Sequence, residues 1–436
     1  MRLVVPLLGL LVTLALALTA APGAGRARSP SGGGAAMPGD PAPHSRAESS
    51  LVGSLNQGMR QAGVYSGAEV VDLDTGQTLF SHNADTPRLP ASIEKLFTTT
   101  TALTRFGAGA HLSTTVLGAG QVRGSTYHGS LYLRGGGDPT FGSPGFDDAA
   151  YGTGATMPHL VANLISSTGI RALSGSIVAD ETLFDADRGT PATGDQPSID
   201  VEGELSALAY DRGWSDADGT AYFAHPALQA GEQFAAALRA AGVRLPRHLR
   251  ITAGATPSSA HQLAFAGSPR IATLVALTNT PSDNFFAEML LKGLGARYGT
   301  GGTTADGAAV VRAQVARSFD IHPRLNDGSG LSRYDRTTPD QVVALLGDEW
   351  ADPAFTASLA VAGETGTLVD EMQGTIAQGR CRAKTGTLHD VSNVAGYCRA
   401  RDGHTLAYAF LLNGIDPDYA HPITDAMQET VAGYTG

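Results

Sequence analysis

Residues 381–398 read CRAKTGTLHDVSNVAGYC, and this stretch decides the fold. Two strand-like apolar runs flank the segment Leu388–Val391, a pattern that predicts an antiparallel hairpin. A turn centred within that segment places Cys381 directly opposite Cys398. The two cysteines are then close enough for a disulfide if the chain is exported, and two free buried thiols are the alternative.

Strands at both ends of the chain extend this hairpin into a sheet. They are predicted at Ala68–Leu73, Thr78–Ser81 and Thr405–Leu412. The pattern predicts an α/β (α+β) domain whose antiparallel sheet joins N- and C-terminal segments and is flanked by helices. The helices are predicted at Ser50–Gly63, Pro90–Thr104, Thr304–Phe319, Pro339–Leu346, Pro353–Ala362 and Pro422–Gly433.

The middle of the chain has a different character. From residue 107 to residue 267, glycine-rich turns separate short alternating runs, with one predicted helix at Ala227–Ala241. We therefore expect a β-rich inserted domain at 107–267, within an α/β domain formed by 50–106 and 268–436.

The N-terminus predicts export. Arg2 precedes an apolar run, Leu3–Leu18, and small residues follow it, so residues 1–24 are expected to be a cleaved signal peptide. The run is short for a membrane span, and an uncleaved anchor is the alternative. Residues 25–49 are rich in Gly, Pro, Ser and Ala and predict a flexible linker.

Composition argues against some classes of partner and cofactor. The 436 residues carry a net charge of −11 and contain no basic run, which argues against a nucleic-acid partner. The 12 histidines show no metal-ligand spacing, so we expect neither a metal nor a cofactor. Of the 30 basic residues only Lys95, Lys292 and Lys384 are lysines. A buried lysine can lose its proton, whereas arginine cannot act as a base.

Two of these lysines fall in short motifs. In Ser92-Ile-Glu-Lys95, the spacing of three places both side chains on one face of a helix start, as a serine nucleophile with a lysine base requires. A solvated helix lysine is the ordinary alternative. Lys384-Thr-Gly-Thr387 lies on a predicted strand, where the lysine offers a positive charge and Gly386 leaves room for a substrate. Lys292 falls on the predicted polar face of a helix and receives no role.

A third motif lies between them. Ser282-Asp283-Asn284 precedes a helical pattern, and all three residue types are favoured helix caps, so a capping role and a catalytic role are both open. The order S-x-x-K, S-x-N, K-T-G resembles that of penicillin-binding proteins and serine β-lactamases. The sequence in and around these motifs is similar to that of low-molecular-mass class C penicillin-binding proteins, which are D-alanyl-D-alanine carboxypeptidases and endopeptidases. The matching stretches are Pro90–Ser92, Gly135–Pro139, Leu205–Leu208, Asp327–Arg333 and Ala383–Thr387.

The resemblance implies a β-lactamase/transpeptidase-like fold and a set of catalytic roles. Ser92 would be acylated by the penultimate D-Ala carbonyl of a peptidoglycan stem peptide ending in D-Ala-D-Ala, or by a β-lactam. Lys95 would act as its general base, in a neutral form favoured by burial and by the nearby second lysine. Ser282 would relay a proton to the leaving amine, and Asn284 would bind the substrate amide and steady Lys95.

It also implies a substrate-binding set on the last motif. Lys384, Thr385 and Thr387 would hold the terminal carboxylate, with Gly386 open to the substrate. The backbone N–H groups of Ser92 and Thr387 would form an oxyanion hole. Arg333 would contact the stem peptide, or form only a surface ion pair.

The sequence leaves two other functions open. A serine β-lactamase needs a group that activates water for deacylation, and Glu202 and Glu204 are the candidates in the sequence. A catalytically silent cell-wall binding protein is the second alternative, although all three motifs are intact.

Overall fold

A computed structural model describes residues 45–436. The predicted signal peptide, 1–24, and residues 25–44 of the predicted linker lie outside this range. Within it, no helix combines the length and the apolarity needed to cross a bilayer. The strands of the described range are β1 (Gly67–Asp72), β2 (Gln77–His82), β3 (His111–Arg123), β4 (Thr126–Arg134), β5 (Ala172–Ser174), β6 (Ile177–Asp180), β7 (Ile251–Ala253), β8 (His261–Arg270), β9 (Ala360–Val361), β10 (Cys381–Leu388), β11 (Val391–Arg399) and β12 (Thr405–Asn413).

The helices of the same range lie both at predicted positions and at positions that were not predicted, such as Pro144–Ala150 and Met157–Thr168. They are α1 (Arg46–Ala62), α2 (Lys95–Phe106), α3 (Pro144–Ala150), α4 (Met157–Thr168), α5 (Pro226–Ala240), α6 (Ile271–Asn279), α7 (Asn284–Tyr298), α8 (Thr304–Phe319), α9 (Pro339–Glu349), α10 (Pro353–Ala357) and α11 (Pro417–Ala432). A short 3₁₀ helix, Ala91–Glu94, leads directly into α2.

The first sheet joins the two ends of the described chain. Its strand order is β2-β1-β12-β11-β10-β9, and every neighbouring pair is antiparallel. α1 and α11 pack together on one face, while α2, α6 and α7 belong to the apolar core on the other. Because β9 pairs with β10 only at Arg382 and Ala383, β10 is a free edge from Lys384 onward among the described strands.

The hairpin of β10 and β11 has the predicted register. Cys381 lies opposite Cys398, Leu388 lies opposite Val391, and a disulfide joins the two cysteines. Both cysteines are fully buried, in the apolar cluster shared with α1 and α11. The disulfide therefore lies on the helix-covered side of the strand that also carries Lys384.

The second sheet is built from the middle of the chain. Its order is β7-β6-β4-β3-β8, with β5 also paired to β4. β3 pairs antiparallel with β4 and β8, whereas β4, β5, β6 and β7 pair in parallel. α4 and α5 pack against this sheet and supply much of its core.

Two predicted helix starts differ from the structure. α1 begins at Arg46, not residue 50, because the Ser45 side chain accepts the Glu48 N–H and caps the helix inside the predicted linker. α11 begins at Pro417, not Pro422, because Asp416 provides the cap and Pro417 takes the first-turn position. Pro422 lies inside the helix.

Lys292 is the third difference. It was expected on a polar helix face, yet its side chain is fully buried on α7. Its ammonium donates to Asp185 Oδ1 at 2.6 Å and to the carbonyl of Asp187 at 2.8 Å. The acceptors come from the middle segment of the chain, more than 100 residues away, so helical periodicity alone could not indicate them.

Candidate active site

The turn before α2 brings Ser92 and Lys95 into contact. Because the 3₁₀ helix Ala91–Glu94 runs into α2, residues three apart share a face, and Lys95 Nζ lies 2.8 Å from Ser92 Oγ. Ala91 has a φ of +47°, an unfavourable value for a residue with a Cβ. The strained turn immediately before Ser92 is held by its surroundings rather than by local preference.

Lys95 Nζ has two further neighbours, and both are oxygen atoms that only accept hydrogen bonds. It donates to Asn284 Oδ1 at 2.6 Å and to the carbonyl of Ser329 at 2.8 Å. The Asn284 amide has a defined orientation because its Nδ2 donates to the carbonyl of Asp200 at 2.6 Å. The predicted lysine and asparagine of two different motifs therefore meet directly.

The start of α7 combines the capping role and the site role of the second motif. The Asp283 side chain accepts the Phe286 N–H and caps the helix, while Asn284 points its side chain toward Lys95. Ser282, just before the cap, has a φ of +70° and turns the chain sharply into the helix. Capping and site geometry are both present, as the sequence allowed.

The third motif passes beside the Ser92 turn. Lys384 is fully buried, and its Nζ donates to the carbonyl of Thr385 at 2.7 Å. A Cβ on Gly386 would lie 2.9 Å from the carbonyl oxygen of Pro90 and 3.1 Å from the nitrogen of Ser92. Glycine at 386 thus permits the turn that carries Ser92 to approach β10, a reason that the sequence did not suggest.

The threonines of that motif alternate with Lys384 and Gly386 along β10. Thr385 pairs with Val394 and donates to Thr367 Oγ1 at 2.8 Å, and Thr387 is exposed. Arg333 is half-exposed and forms an ion pair with Asp390 in the β10–β11 turn, with Nη2 and Oδ2 3.0 Å apart. Its contact with a stem peptide stays a prediction.

Burial controls the charge of both site lysines. It lowers the pKa of Lys95 to about 8, against the opposing effect of carboxylates that include Glu202 and Glu288. For Lys384 no such carboxylate offsets the desolvation, so burial and the charge of Lys95 lower its pKa well below the usual range. Burial therefore disfavours the charged form of both lysines, including Lys95, for which the sequence predicted a neutral form.

Sequence reasoning missed the groups that hold the second motif in place. Arg212 is buried, forms an ion pair with Asp283 and donates to Tyr151 Oη at 2.6 Å. Its guanidinium lies over the ring of Phe286, 5.4 Å from the centroid. Glu202, which the sequence singled out only for the β-lactamase alternative, accepts the backbone N–H of Asn284 at 2.9 Å.

A further supporting group is Glu288 on α7, which contacts the loop after α8. Glu288 Oε1 accepts the N–H groups of Gly328 and Ser329, which fixes the loop whose carbonyl receives Lys95. Glu288 lies one helical turn after Asn284, a spacing that could have suggested a shared face. No local pattern marks Asp200 or Arg212, because their partners at the start of α7 are more than 70 residues away.

The antiparallel sheet, its covering helices and the three motifs around Ser92 define a protein of the penicillin-recognising fold class. Comparison with known proteins gives the particular family. The sequence model of the D-Ala-D-Ala carboxypeptidase 3 (S13) family matches residues 50–199 and 192–434. The chain belongs to this family of serine peptidases. The predicted fold class and the predicted class of enzyme are thereby confirmed.

Individual relatives agree with this assignment. A D-alanyl-D-alanine carboxypeptidase of Actinomadura sp. (strain R39) is 30% identical, over 86% of this chain and 82% of its own length. Carboxypeptidase DacB of Mycolicibacterium smegmatis is 29% identical, over 80% of this chain and 76% of its own. The crystal structure of penicillin binding protein 4 from Haemophilus influenzae superposes with a TM-score of 0.73. It is 18% identical and covers 87% of this chain and 99% of its own, which shows a common fold.

Proposed function

We propose that this protein is an exported D-Ala-D-Ala carboxypeptidase that acts on peptidoglycan stem peptides through an acyl-Ser92 intermediate, and that β-lactams acylate the same serine. The observation that carries the proposal is the set of three contacts around Lys95 Nζ. Family membership and the relatives' names support the substrate class.

These contacts prepare Lys95 to act as a base. A neutral amine has two hydrogens and one lone pair. Asn284 Oδ1 and the Ser329 carbonyl can only accept, so they engage the two hydrogens and leave the lone pair facing Ser92 Oγ at 2.8 Å. Lys95 then takes the Ser92 proton as Oγ attacks the penultimate D-Ala carbonyl carbon.

Substrate binding would set the charges for this step. Lys384 lies fully buried near Lys95, and among the described residues its ammonium form has no anionic partner. The terminal carboxylate of the substrate supplies one, so it favours protonation of Lys384 and, by repulsion, a neutral Lys95. The anionic substrate thereby converts the lysine pair to the charges that acylation needs.

The remaining roles are those that the family resemblance implies. The backbone N–H groups of Ser92 and Thr387 would stabilise the oxyanion, each contributing about 3 kcal/mol to the transition state. Ser282 would relay a proton to the departing D-Ala amine, and Thr385 would join Lys384 at the carboxylate. Water then hydrolyses the acyl-Ser92 ester and restores the serine.

The direct test is release of D-Ala from a diacylated tripeptide that contains Lys or diaminopimelate and ends in D-Ala-D-Ala. The wild-type protein should release D-Ala and Ser92→Ala should release none above background, while both unfold at similar temperatures. Equal release by the two proteins would contradict the enzyme proposal and leave the silent binding protein.

The β-lactamase alternative has one specific observation in its favour. Glu202 accepts the Asn284 N–H, and its charge raises the pKa of Lys95, so a carboxylate lies near the lysine that contacts Ser92. A chromogenic cephalosporin separates the two functions. A stable stoichiometric adduct supports the carboxypeptidase, whereas rapid turnover that Glu202→Gln abolishes would support the β-lactamase.

Export and domain organisation complete the proposal. We assign residues 1–24 to a cleaved signal peptide and the mature chain to the space outside the cytoplasmic membrane. We assign 50–106 and 268–436 to the catalytic domain and 107–267 to an inserted domain. The two sheets support this division, because every strand of the first lies in the former segments and β3 to β7 lie in the latter.

A further inference from the structure

Glu94, which directly precedes Lys95, has a side chain with no role in the proposed reaction. It belongs to the strained turn before α2 and is fully buried. Neither of its carboxyl oxygens has a hydrogen-bond donor in the described part of the chain. A buried acceptor without a donor costs about 1–3 kcal/mol, and a buried charge costs more. Such a group requires an explanation.

The carboxyl of Glu94 faces a loop that carries two more buried acids. Oxygens of Glu94, Asp327 and Asp335 lie within 4.8 Å of one another. Asp327 uses both of its oxygens, which accept the N–H groups of Gly330 and Ser332 at 2.8 Å.

Asp335 differs from Asp327 in having one oxygen free. Its Oδ1 accepts from the backbone and side chain of Asn326, at 2.8 and 2.9 Å, whereas Oδ2 has no donor among residues 45–436. Glu94 and Asp335 therefore face each other with carboxyl oxygens that have no hydrogen-bond donor. A single proton between them would satisfy both groups.

We propose that Glu94 is held as a neutral carboxylic acid that donates a hydrogen bond to Asp335, and that this shared proton is a positioning device for the catalytic turn. The hydrogen bond joins the turn that carries Ser92 and Lys95 to the loop whose Ser329 carbonyl receives Lys95. The two segments already touch closely, since a Cβ on Gly330 would lie 1.9 Å from the Ala91 carbonyl oxygen. Without the proton, two carboxylates would repel at this contact.

The surrounding charges favour the neutral acid. The ionisable groups that face Glu94 are Asp327 and Asp335 from the loop and Glu288 from α7. No ion pair in the described structure connects a lysine or arginine to Glu94. Burial first, and these carboxylates second, raise the pKa of Glu94 well above its usual range. Burial also raises the pKa of Asp327, but its oxygens are occupied by backbone N–H groups.

The neutral state has a consequence for Lys95. An ionised Glu94 in the preceding position would stabilise the ammonium form and raise the pKa of the base. A protonated Glu94 holds the turn in place without adding that charge. Glu94 is thus a positioning residue that acts through the hydrogen bond of its carboxyl proton and not through a negative charge.

The first test uses Glu94→Gln, which keeps the shape and a donor but cannot ionise, and it rests on the proposed function. The rate of acylation by a fluorescent penicillin is measured against pH. If Glu94 is neutral, the midpoint of the profile stays within about 0.3 pH unit of wild type. If Glu94 is ionised, removing its charge lowers the midpoint by about one unit or more, which overturns the proposal.

Glu202→Gln gives the size of a true charge effect in the same assay. Its carboxylate is the largest charge that raises the pKa of Lys95, so its removal should shift the midpoint downward. Glu94→Ala lacks the donor and should acylate at least tenfold more slowly than Glu94→Gln at every pH. Equal rates for the alanine and glutamine variants would remove the positioning role.

The second test does not depend on catalysis, because it is carried out in a Ser92→Ala background. Since the folded-state pKa of Glu94 lies above its unfolded value, its stabilising effect is complete at low pH and is lost as pH rises toward the folded pKa. The unfolding constants of the protein with Glu94 and of its Glu94→Gln variant should therefore diverge by up to tenfold per pH unit above about pH 4.5. Asp335→Asn should reduce this divergence.

Parallel stability curves from pH 5 to pH 9 would show that Glu94 has an ordinary pKa and would overturn the proposal. A cation bound between the carboxylates, in place of the shared proton, would also overturn the proposal. In that case calcium or manganese would raise the melting temperature of the protein with Glu94, EDTA would lower it, and the glutamine variant would respond to neither. If D-Ala release fails but the stability curves diverge, the proposed function is wrong and the shared proton stands.

Discussion

All three lysines of this arginine-rich chain are fully buried, and each has a defined partner set. Their scarcity was the sequence signal that drew attention to Lys95 and Lys384. In the proposed mechanism arginine could not replace Lys95, since a general base must be able to lose its proton. Lys292 shows the limit of that signal, because it is buried for a structural reason.

The pKa of Lys95 predicts the pH dependence of acylation. The base works only when deprotonated, so the second-order rate of acylation by a penicillin should rise with pH and reach half its maximum near pH 8. Lys95→Arg stays protonated and should acylate about 10³-fold more slowly at pH 8. Stopped-flow fluorescence with a labelled penicillin measures both. A profile that falls between pH 6 and pH 8 would contradict the assignment of Lys95 as base.

Gly386 predicts a second effect at the residue scale. In Gly386→Ala the new methyl group meets the backbone of Pro90 and Ser92, which cannot move aside as a flexible side chain would. Displacing the nucleophile should slow acylation about 10–100-fold and lower the free energy of unfolding by about 1–3 kcal/mol. Gly53→Ala, in the open middle of α1, is the control and should acylate like wild type. Unchanged acylation in Gly386→Ala would show that the contact does not position Ser92.

At the scale of elements, α7 is the helix whose start decides the geometry of the site. Its cap was readable from sequence, because Ser, Asp and Asn favour this position. The groups that hold this helix start could not be predicted from sequence. They are Arg212, Glu202 and Asp200, which come from an irregular segment far away in the chain. Loops of this kind carry no periodicity from which contacts could be inferred.

Arg212→Met tests this anchoring. The substitution leaves Asp283 with an uncompensated charge in a largely buried position, which should cost about 3–5 kcal/mol of unfolding free energy. Acylation should slow as well, because Asn284 follows Asp283 directly. The matched control is Arg333→Met, whose ion pair with Asp390 is half-exposed and should contribute less than about 1 kcal/mol. Urea unfolding of the two variants measures the contrast, and equal losses would refute it.

At the scale of the whole molecule, the sheet was the predictable part and the packing between segments was not. The hairpin register followed from strand alternation and a single turn position, so the pairing of Cys381 with Cys398 could be predicted directly. The contacts of Arg212 or Lys292 depend on how 107–267 folds back on α7. Long-range pairing of single polar groups leaves no repeated pattern in a sequence.

Several buried acids predict how stability depends on pH. Burial raises the pKa of Asp138 to about 7, and that of Asp147 and of Glu204 to about 8. Acids with raised folded-state pKa stabilise fully below their unfolded pKa and lose that effect as pH rises through the folded value. The melting temperature should therefore fall by about 5 °C between pH 5.5 and pH 8. The lowered pKa values of Lys95 and Lys384 act in the opposite sense.

Scanning calorimetry across that range measures the effect. Glu204→Gln removes one contributing acid and should flatten the dependence, provided that the variant retains its fold. A melting temperature that stays constant or rises from pH 5.5 to pH 8 would contradict this prediction.

Lys292 finally limits how easily the middle segment, 107–267, can be deleted or exchanged. Its buried ammonium on α7 is neutralised by Asp185, and the start of the same helix is held by Arg212, so one helix depends on the middle segment both at its start and along its length. Excising that segment would leave a charged amine stranded in an apolar core, at a cost of several kcal/mol. The middle segment is therefore not a detachable accessory, and simple shortening by deletion or exchange requires a simultaneous change at Lys292.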